Sequence, residues 1–219
     1  MIHAAIFDMD GLLFDTERLC RDAWQTVARE NGYVMDDSLF LACVGRNSRD
    51  TRAHVLNALG EDFPYERFSL LAASWMRARM EESGPPEKAG ARRLLEYFTE
   101  AGIPVALATS TSEKSARWMI ERAGFTRFFS AFAFGSEVER GKPSPDIFLL
   151  AKARLGDPVA ERCVVFEDSP PGLRAALSAG MLTVFVPDLV PPTPELTALV
   201  WKTIPSLDEA MSGVILAGS

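Results

Sequence analysis

The sequence predicts an α/β fold in which helices flank a parallel sheet, with a helical insertion near its start, and three observations carry that expectation. Short apolar runs recur at Ala4 to Phe7, Val105 to Ala108, Ala131 to Phe134, Cys163 to Phe166 and Thr183 to Val186. These runs lack polar alternation, as strands buried on both faces do, and the intervals between most of them leave room for crossover helices. Residues 17 to 82 break the rhythm: Leu19, Ala23 and Val27, then Val55 and Leu59, then Phe68, Leu71, Trp75 and Met76 recur at helical spacing with no strand-like run between them.

Local punctuation supports these elements in order along the chain. The helical segment is bordered by Phe14-Asp15-Thr16 and by the breaker cluster Ser83-Gly84-Pro85-Pro86. The expected organisation is therefore an α/β core formed by residues 1–15 plus 86–219, with 16–85 inserted as a helical cap. The alternative is that the same helices pack within one domain. Gly124 and Gly180 stand where helices should stop, because the left-handed conformation that closes a helix suits glycine. Ser144-Pro145 has the pattern of an N-cap followed by proline at the first helical position, and Ser206-Leu-Asp-Glu209 has capping-box spacing.

Composition narrows the function. The 219 residues are 47% hydrophobic, enough for one full core and a smaller module. The formal net charge of −7 gives no basis for a surface that neutralises nucleic acid or an anionic membrane. Cys20, Cys43 and Cys163 are widely spaced and form no C-x-x-C pattern, which fits free thiols in a reducing compartment, so the cytoplasm is the expected location. Asp8 and Asp10 interrupt the first apolar run too soon for a signal-peptide core, and no stretch reaches the roughly 18 apolar residues of a membrane span.

Ligands of open parallel sheets bind beyond the carboxyl ends of the strands, so the polar residues that follow the apolar runs are the candidate site. The first run ends in Asp8-Met-Asp10-Gly11, the second in Thr109-Ser110 and the fourth in Glu167-Asp168, while Lys142 lies in the loop after the third. Converging carboxylates repel one another unless a cation is bound, and hard oxygen donors suit magnesium, which takes substrate phosphate as a further ligand. Lys142, the Thr109 hydroxyl and backbone N–H groups after Ser110 would then hold phosphate oxygens. Taken singly, each piece is also ordinary turn, cap or surface chemistry; their placement after successive apolar runs makes them a set.

Other chemistries fail on spacing. An EF-hand needs glycine at its sixth position, whereas Gly11 is fourth from Asp8. A G-x-x-x-x-G-K-[ST] phosphate loop fails because position 136 is Ser and Lys142 precedes Pro143. No zinc or serine-hydrolase pattern is present, and the chain has only His3 and His54 for histidine chemistry. His3 reads as a strand-edge residue and His54 as part of a cap helix.

The run Asp8-Met-Asp10-Gly11-Leu-Leu-Phe-Asp15-Thr16-Glu17 resembles the first motif of the haloacid-dehalogenase superfamily, and Thr109, Lys142-Pro143 and Glu167-Asp168-Ser169-Pro-Pro-Gly172 match its later motifs in order. The resemblance spans nearly the whole chain. It implies a Rossmann-like, doubly wound parallel core with an α-helical cap, as in the subgroup of β-phosphoglucomutase and of sugar-phosphate and nucleotide phosphatases. It further implies that Asp8 is the nucleophile that forms an aspartyl-phosphate and that Asp10 is the general acid and then base. The metal would be held by Asp8, the Asp10 backbone carbonyl and Asp168, with Glu167 as ligand or as support for the ligands. Carbon–halogen cleavage is not expected, because the superfamily's dehalogenases lack a second acid at the Asp10 position.

The resemblance places Thr16 at the cap border and Arg46 or Arg49 toward the substrate, the alternative for both arginines being solvent-facing charges. The expected activity is magnesium-dependent hydrolysis of a small phosphorylated metabolite, by a chain expected to be monomeric. A phosphomutase is the rival within the fold, and an inactive binding protein is the rival outside enzymology. The mutases have a histidine four residues after the motif threonine, where this chain has Cys20, which favours hydrolysis.

Overall fold

A computed structural model describes residues 1–44, 48–189, 191 and 193–210. The chain divides into two compact units, Met1–Phe14 with Glu87–Ser219, and Asp15–Pro86.

The first unit is a parallel sheet with helices on both faces. Its strands are β1 (Ala4–Phe7), β2 (Val105–Thr109), β3 (Ala131–Phe134), β4 (Cys163–Glu167), β5 (Leu182–Phe185) and β6 (Lys202–Thr203). Among the described residues they lie in the order β3-β2-β1-β4-β5-β6, each pair parallel. The chain thus winds outward from β1 through β2 to β3, then crosses back to β4 on the other side of β1. That reversal makes the carboxyl end of β1 the topological switch point, where a crevice opens for ligands.

The helices of this unit are α5 (Ala91–Glu100), α6 (Glu113–Arg122), α7 (Asp146–Arg154), α8 (Pro170–Ser178) and α9 (Pro194–Leu199). Successive strand residues point to opposite faces. Ala4, Ile6, Ala106, Ala108, Cys163 and Val165 pack on one face with Ile147, Phe148 and Ala151 of α7 and Ala175 and Ala176 of α8. On the other face Phe7 stacks on Phe166 at 4.7 Å and meets Phe98 of α5 edge-on at 5.9 Å. Both faces of β1, β2 and β4 are fully buried, which is why these strands read as unbroken apolar runs.

The second unit holds α1 (Thr16–Glu30), α2 (Asp37–Leu41), α3 (Ser48–Leu59) and α4 (Tyr65–Ser83). Tyr33 packs edge-on against Phe63 at 4.9 Å and Phe68 at 5.3 Å, and Trp24 lies 5.4 Å from Tyr65, so aromatic rings tie α1 to α4 and to the turn before it. His54 lies on α3, and α4 stops at Gly84, whose φ of +80° ends the helix.

Several local expectations are corrected. The fifth strand begins one residue earlier than its apolar run, and the two-residue β6 has no apolar run to announce it. Pro145, not Ser144, precedes α7; the Ser144 hydroxyl instead donates to Asp146 Oδ1 at 2.6 Å. The Ser206 capping box does not form: residues Leu207–Glu209 make one short 3₁₀ turn in which the Glu209 N–H donates to the Ser206 backbone carbonyl at 3.1 Å, not to its hydroxyl. Gly124 and Gly180 do sit just past α6 and α8 with φ of +69° and +72°.

Candidate active site

The site is assembled by strand register. Phe7 of β1 pairs with Leu107 of β2 and Phe166 of β4, so the residues one step further, Asp8, Ala108 and Glu167, come level at the carboxyl edge. Asp8 extends the ladder by donating its N–H to the Phe166 carbonyl at 3.1 Å. Carboxylate oxygens of Asp8, Glu167 and Asp168 lie within 4.8 Å of one another, and all three residues are at least nine-tenths buried.

Lys142 is the counter-charge. Its ammonium donates to Asp8 Oδ1, to Glu167 Oε1 at 2.6 Å and to the Ala108 carbonyl at 3.4 Å, and it rests 4.9 Å from the centre of the Phe148 ring. Glu167 is engaged at both oxygens, because Oε2 accepts from the Ser169 N–H at 2.8 Å and hydroxyl at 3.0 Å. The geometry thus makes Glu167 a brace for Lys142. Room for it exists only because residue 172 is glycine: a methyl group there would lie 1.7 Å from Glu167 Oε1.

One cation does not balance three buried carboxylates. Burial pushes the Asp8 carboxyl up to about 7, with the charges of Glu167 and Asp10 adding to the effect and Lys142 opposing it. Burial likewise holds Asp168 well above the usual carboxylate range, reinforced by Glu167 and Asp8. Burial disfavours the Lys142 ammonium, but Asp8 and Glu167 more than offset this and keep it charged. A hard, oxygen-only donor set with surplus negative charge fits a divalent cation, so these residues pass the chemical test for holding one.

Asp10 stands apart from this cluster. Its Oδ2 accepts a 2.6 Å hydrogen bond from the Thr111 hydroxyl, and it is only partly buried. Thr109 is buried at the tip of β2 and its hydroxyl accepts the Thr111 N–H at 3.1 Å, whereas Ser110 is exposed, its backbone packed against Gly135. Gly11, with φ of +81°, turns the chain after Asp10, and its N–H bonds the Phe14 carbonyl at 2.8 Å.

The remaining sequence candidates lie in the helical unit. Thr16 is buried at the start of α1, Arg49 is exposed in the first turn of α3, and Arg46 lies outside the described residues. This unit holds an open pocket of about 220 Å³ whose walls include Glu17, Cys20, Trp24, Cys43, Thr51 and Tyr65. Cys20 is half-buried in this wall.

Sequence reasoning missed Thr111 and Asp188. Thr111 carried a weak signal, a hydroxyl two residues beyond the strand-end Thr109. Asp188 carried a similar one, two residues beyond the fifth apolar run, but its ion-pair partner Lys88, 100 residues away in the chain, left no trace.

The parallel core with acidic strand tips is also found by comparison with known proteins, which supplies its class. A family model described as haloacid dehalogenase-like hydrolase matches residues 2–180. The chain belongs to the haloacid dehalogenase-like hydrolases, and it is a phosphatase of that family. It is 35% identical to the phosphorylated carbohydrates phosphatase of Thermotoga maritima over 184 residues, 84% of each chain. It is 33% identical to (DL)-glycerol-3-phosphatase 2 of Arabidopsis thaliana, covering 84% of this chain and 78% of that one. The crystal structure of CbbY from Rhodobacter sphaeroides in complex with phosphate superposes with a TM-score of 0.79 at 28% identity, covering 98% of both chains. Members of the family generally use a divalent metal, in keeping with the acidic group. No helix among the described residues is long and apolar enough to cross a membrane.

Proposed function

We propose that the protein hydrolyses a small phosphorylated metabolite, a sugar phosphate or nucleotide-like monoester, with magnesium and through an aspartyl-phosphate, the acyl phosphate formed on Asp8. The observation that carries this is the separation of two carboxylates: Asp8 is buried against Lys142 at the β1 tip, while Asp10 is held off by Thr111. Two acids in different surroundings take different roles.

In the first step an Asp8 oxygen forms a bond to phosphorus as the bond to the leaving oxygen breaks, and Asp10 delivers its proton to that oxygen. In the second step Asp10, now a carboxylate, takes a proton from water whose oxygen attacks phosphorus. The Asp8–phosphorus bond breaks, and inorganic phosphate leaves. Lys142 keeps Asp8 oriented and offsets charge that develops on the phosphoryl oxygens, with Thr109 and the N–H groups beyond it as further donors. Magnesium, held by Asp8, the Asp10 carbonyl and Asp168, would supply the remaining neutralisation when bound. The helical unit, through its cavity and through Arg46, Arg49 and Thr16, would act as the cap that selects the substrate.

Release of inorganic phosphate from p-nitrophenyl phosphate, with and without Mg²⁺, tests the proposal. Wild type is expected to turn over only with Mg²⁺. Asp8→Asn is expected to show none, and Asp10→Asn is expected to be inactive while still binding Mg²⁺. Equal turnover by wild type and Asp8→Asn removes the covalent route. Interconversion of sugar phosphates given a trace of bisphosphate, with little hydrolysis, identifies a mutase instead.

A further inference from the structure

Asp188 follows β5 and is a buried carboxylate near the strand ends that the proposed chemistry does not use. Its side chain is 3% exposed, and Oδ1 accepts a 2.7 Å bond from the ammonium of Lys88, itself 19% exposed. Lys88 stands just past the return from the helical insertion, and its N–H bonds the Leu13 carbonyl at 2.9 Å. The pair therefore joins the β5 tip to the chain leading out of the Asp8–Asp10 turn.

The direction of the other Asp188 oxygen is informative. A methyl group on Gly11 would lie 2.2 Å from Asp168 Oδ2 and 3.4 Å from Asp188 Oδ2, so both oxygens border the same small space. The bare Gly11 turn lets both carboxylates approach the same space. A buried ion pair that serves only as a strut is often matched or bettered by apolar residues of similar volume. Here a second carboxylate oxygen instead shares the Gly11 turn with Asp168. Such an arrangement is costly without a cation and useful with one. Magnesium keeps several of its waters, and these need acceptors fixed around the inner ligands.

Building on the metal-dependent reading above, we propose that Asp188 is a positioning residue of the magnesium site: its carboxylate, aimed and charge-balanced by Lys88, accepts hydrogen bonds from metal-bound water beside Asp168. Asp188 contacts neither phosphorus nor the leaving group.

Mg²⁺ affinity, measured by isothermal titration calorimetry on the intact chain alongside thermal melts in chelator, tests this. Asp188→Asn keeps the shape and removes the charge. It is expected to weaken Mg²⁺ binding by about 10–100-fold, as loss of a ligand's hydrogen-bond partner does. Its metal-free Tm should hold or rise, and KM for p-nitrophenyl phosphate at saturating Mg²⁺ should stay near wild type. Asp188→Glu retains the charge and is expected to recover part of the affinity; it also serves if the Asn variant does not fold. Unchanged Mg²⁺ affinity in both, with a lowered metal-free Tm, makes the pair a strut and overturns the inference. Asp168→Asn is the control: if it too binds Mg²⁺ like wild type, the metal site itself is misplaced and the inference falls with it, whereas loss in Asp168→Asn alone rejects Asp188 and leaves the site standing.

Discussion

Thr111 holds one of the two acids to which the proposed reaction gives different roles. By donating to Asp10 Oδ2 at 2.6 Å it anchors that carboxylate away from Lys142, which is committed to Asp8 and Glu167. A hydrogen bond to a charged group contributes about 1.5–3 kcal/mol, roughly 10–100-fold in rate if the bond matters in the transition state. Thr111→Val removes the donor at constant shape. It is expected to lower kcat by about that factor with KM little changed, and Thr111→Ser is expected to restore most of the loss. Steady-state kinetics on both variants checks this, and an unchanged kcat in the valine variant would mean that Asp10 is aimed by other contacts. Asp8, Asp10, Thr109, Lys142 and Asp168 were all visible as candidates in the sequence because each directly follows an apolar run or occupies a loop beyond one. The partners that orient them were not visible, because such contacts depend on which strands end up adjacent.

The β4–α8 junction concentrates a different kind of constraint. Ser169 caps α8, accepting the Gly172 N–H at 3.2 Å, and at the same time donates to Glu167 Oε2. Helix initiation and the bracing of Lys142 thus share one serine. Gly172 is required by proximity, not by backbone conformation, since the space its side chain would occupy is filled by the Glu167 carboxylate. Glu167 is wholly buried and held at both ends, so it has nowhere to retreat. Gly172→Ala is expected to destabilise the protein by about 1–3 kcal/mol, the usual cost of overpacking a well-filled core, and to reduce turnover by displacing Lys142. Differential scanning calorimetry with a phosphatase assay reads both effects. A variant that melts and reacts like wild type would show that the α8 start can shift to make room. At this scale the sequence named the motif Glu167-Asp168-Ser169-Pro-Pro-Gly172 but not the reason for its glycine, which is a contact between a helix start and a buried side chain.

For the molecule as a whole, the acidic edge makes stability depend on pH and on the cation. A carboxyl whose folded value lies above its unfolded one keeps its proton in the folded state while the unfolded chain releases it. Stability then falls as pH rises through the interval, the reverse of the case for a carboxylate in a favourable ion pair. For Asp8 that interval runs from 3.8 to about 7, set chiefly by burial, and Asp168 is shifted in the same direction. The metal-free protein is therefore expected to lose Tm from pH 4 to 7. Mg²⁺ is expected to restore it and to bind more tightly as pH rises, because protons and cation compete for the same oxygens. Asp8→Asn is expected to flatten the profile and to raise the metal-free Tm, as removing a strained functional group commonly adds about 0.5–2 kcal/mol. Melts across this pH range with chelator and with Mg²⁺ decide it. A flat wild-type profile would show that the carboxylates are already compensated without a cation.

Taken alone, the sequence determined the α/β class, most of the strands and the set of candidate site residues, because burial on two faces writes unbroken apolar runs and the polar candidates follow them. Only the tertiary structure decided the strand order β3-β2-β1-β4-β5-β6, the brace of Lys142 by Glu167, the hold of Thr111 on Asp10 and the pairing of Lys88 with Asp188 across 100 residues. The physical reason is range. Backbone periodicity and capping are set by near neighbours and leave a pattern in the chain, whereas lateral strand order and side-chain partnership arise from packing between distant segments and leave none.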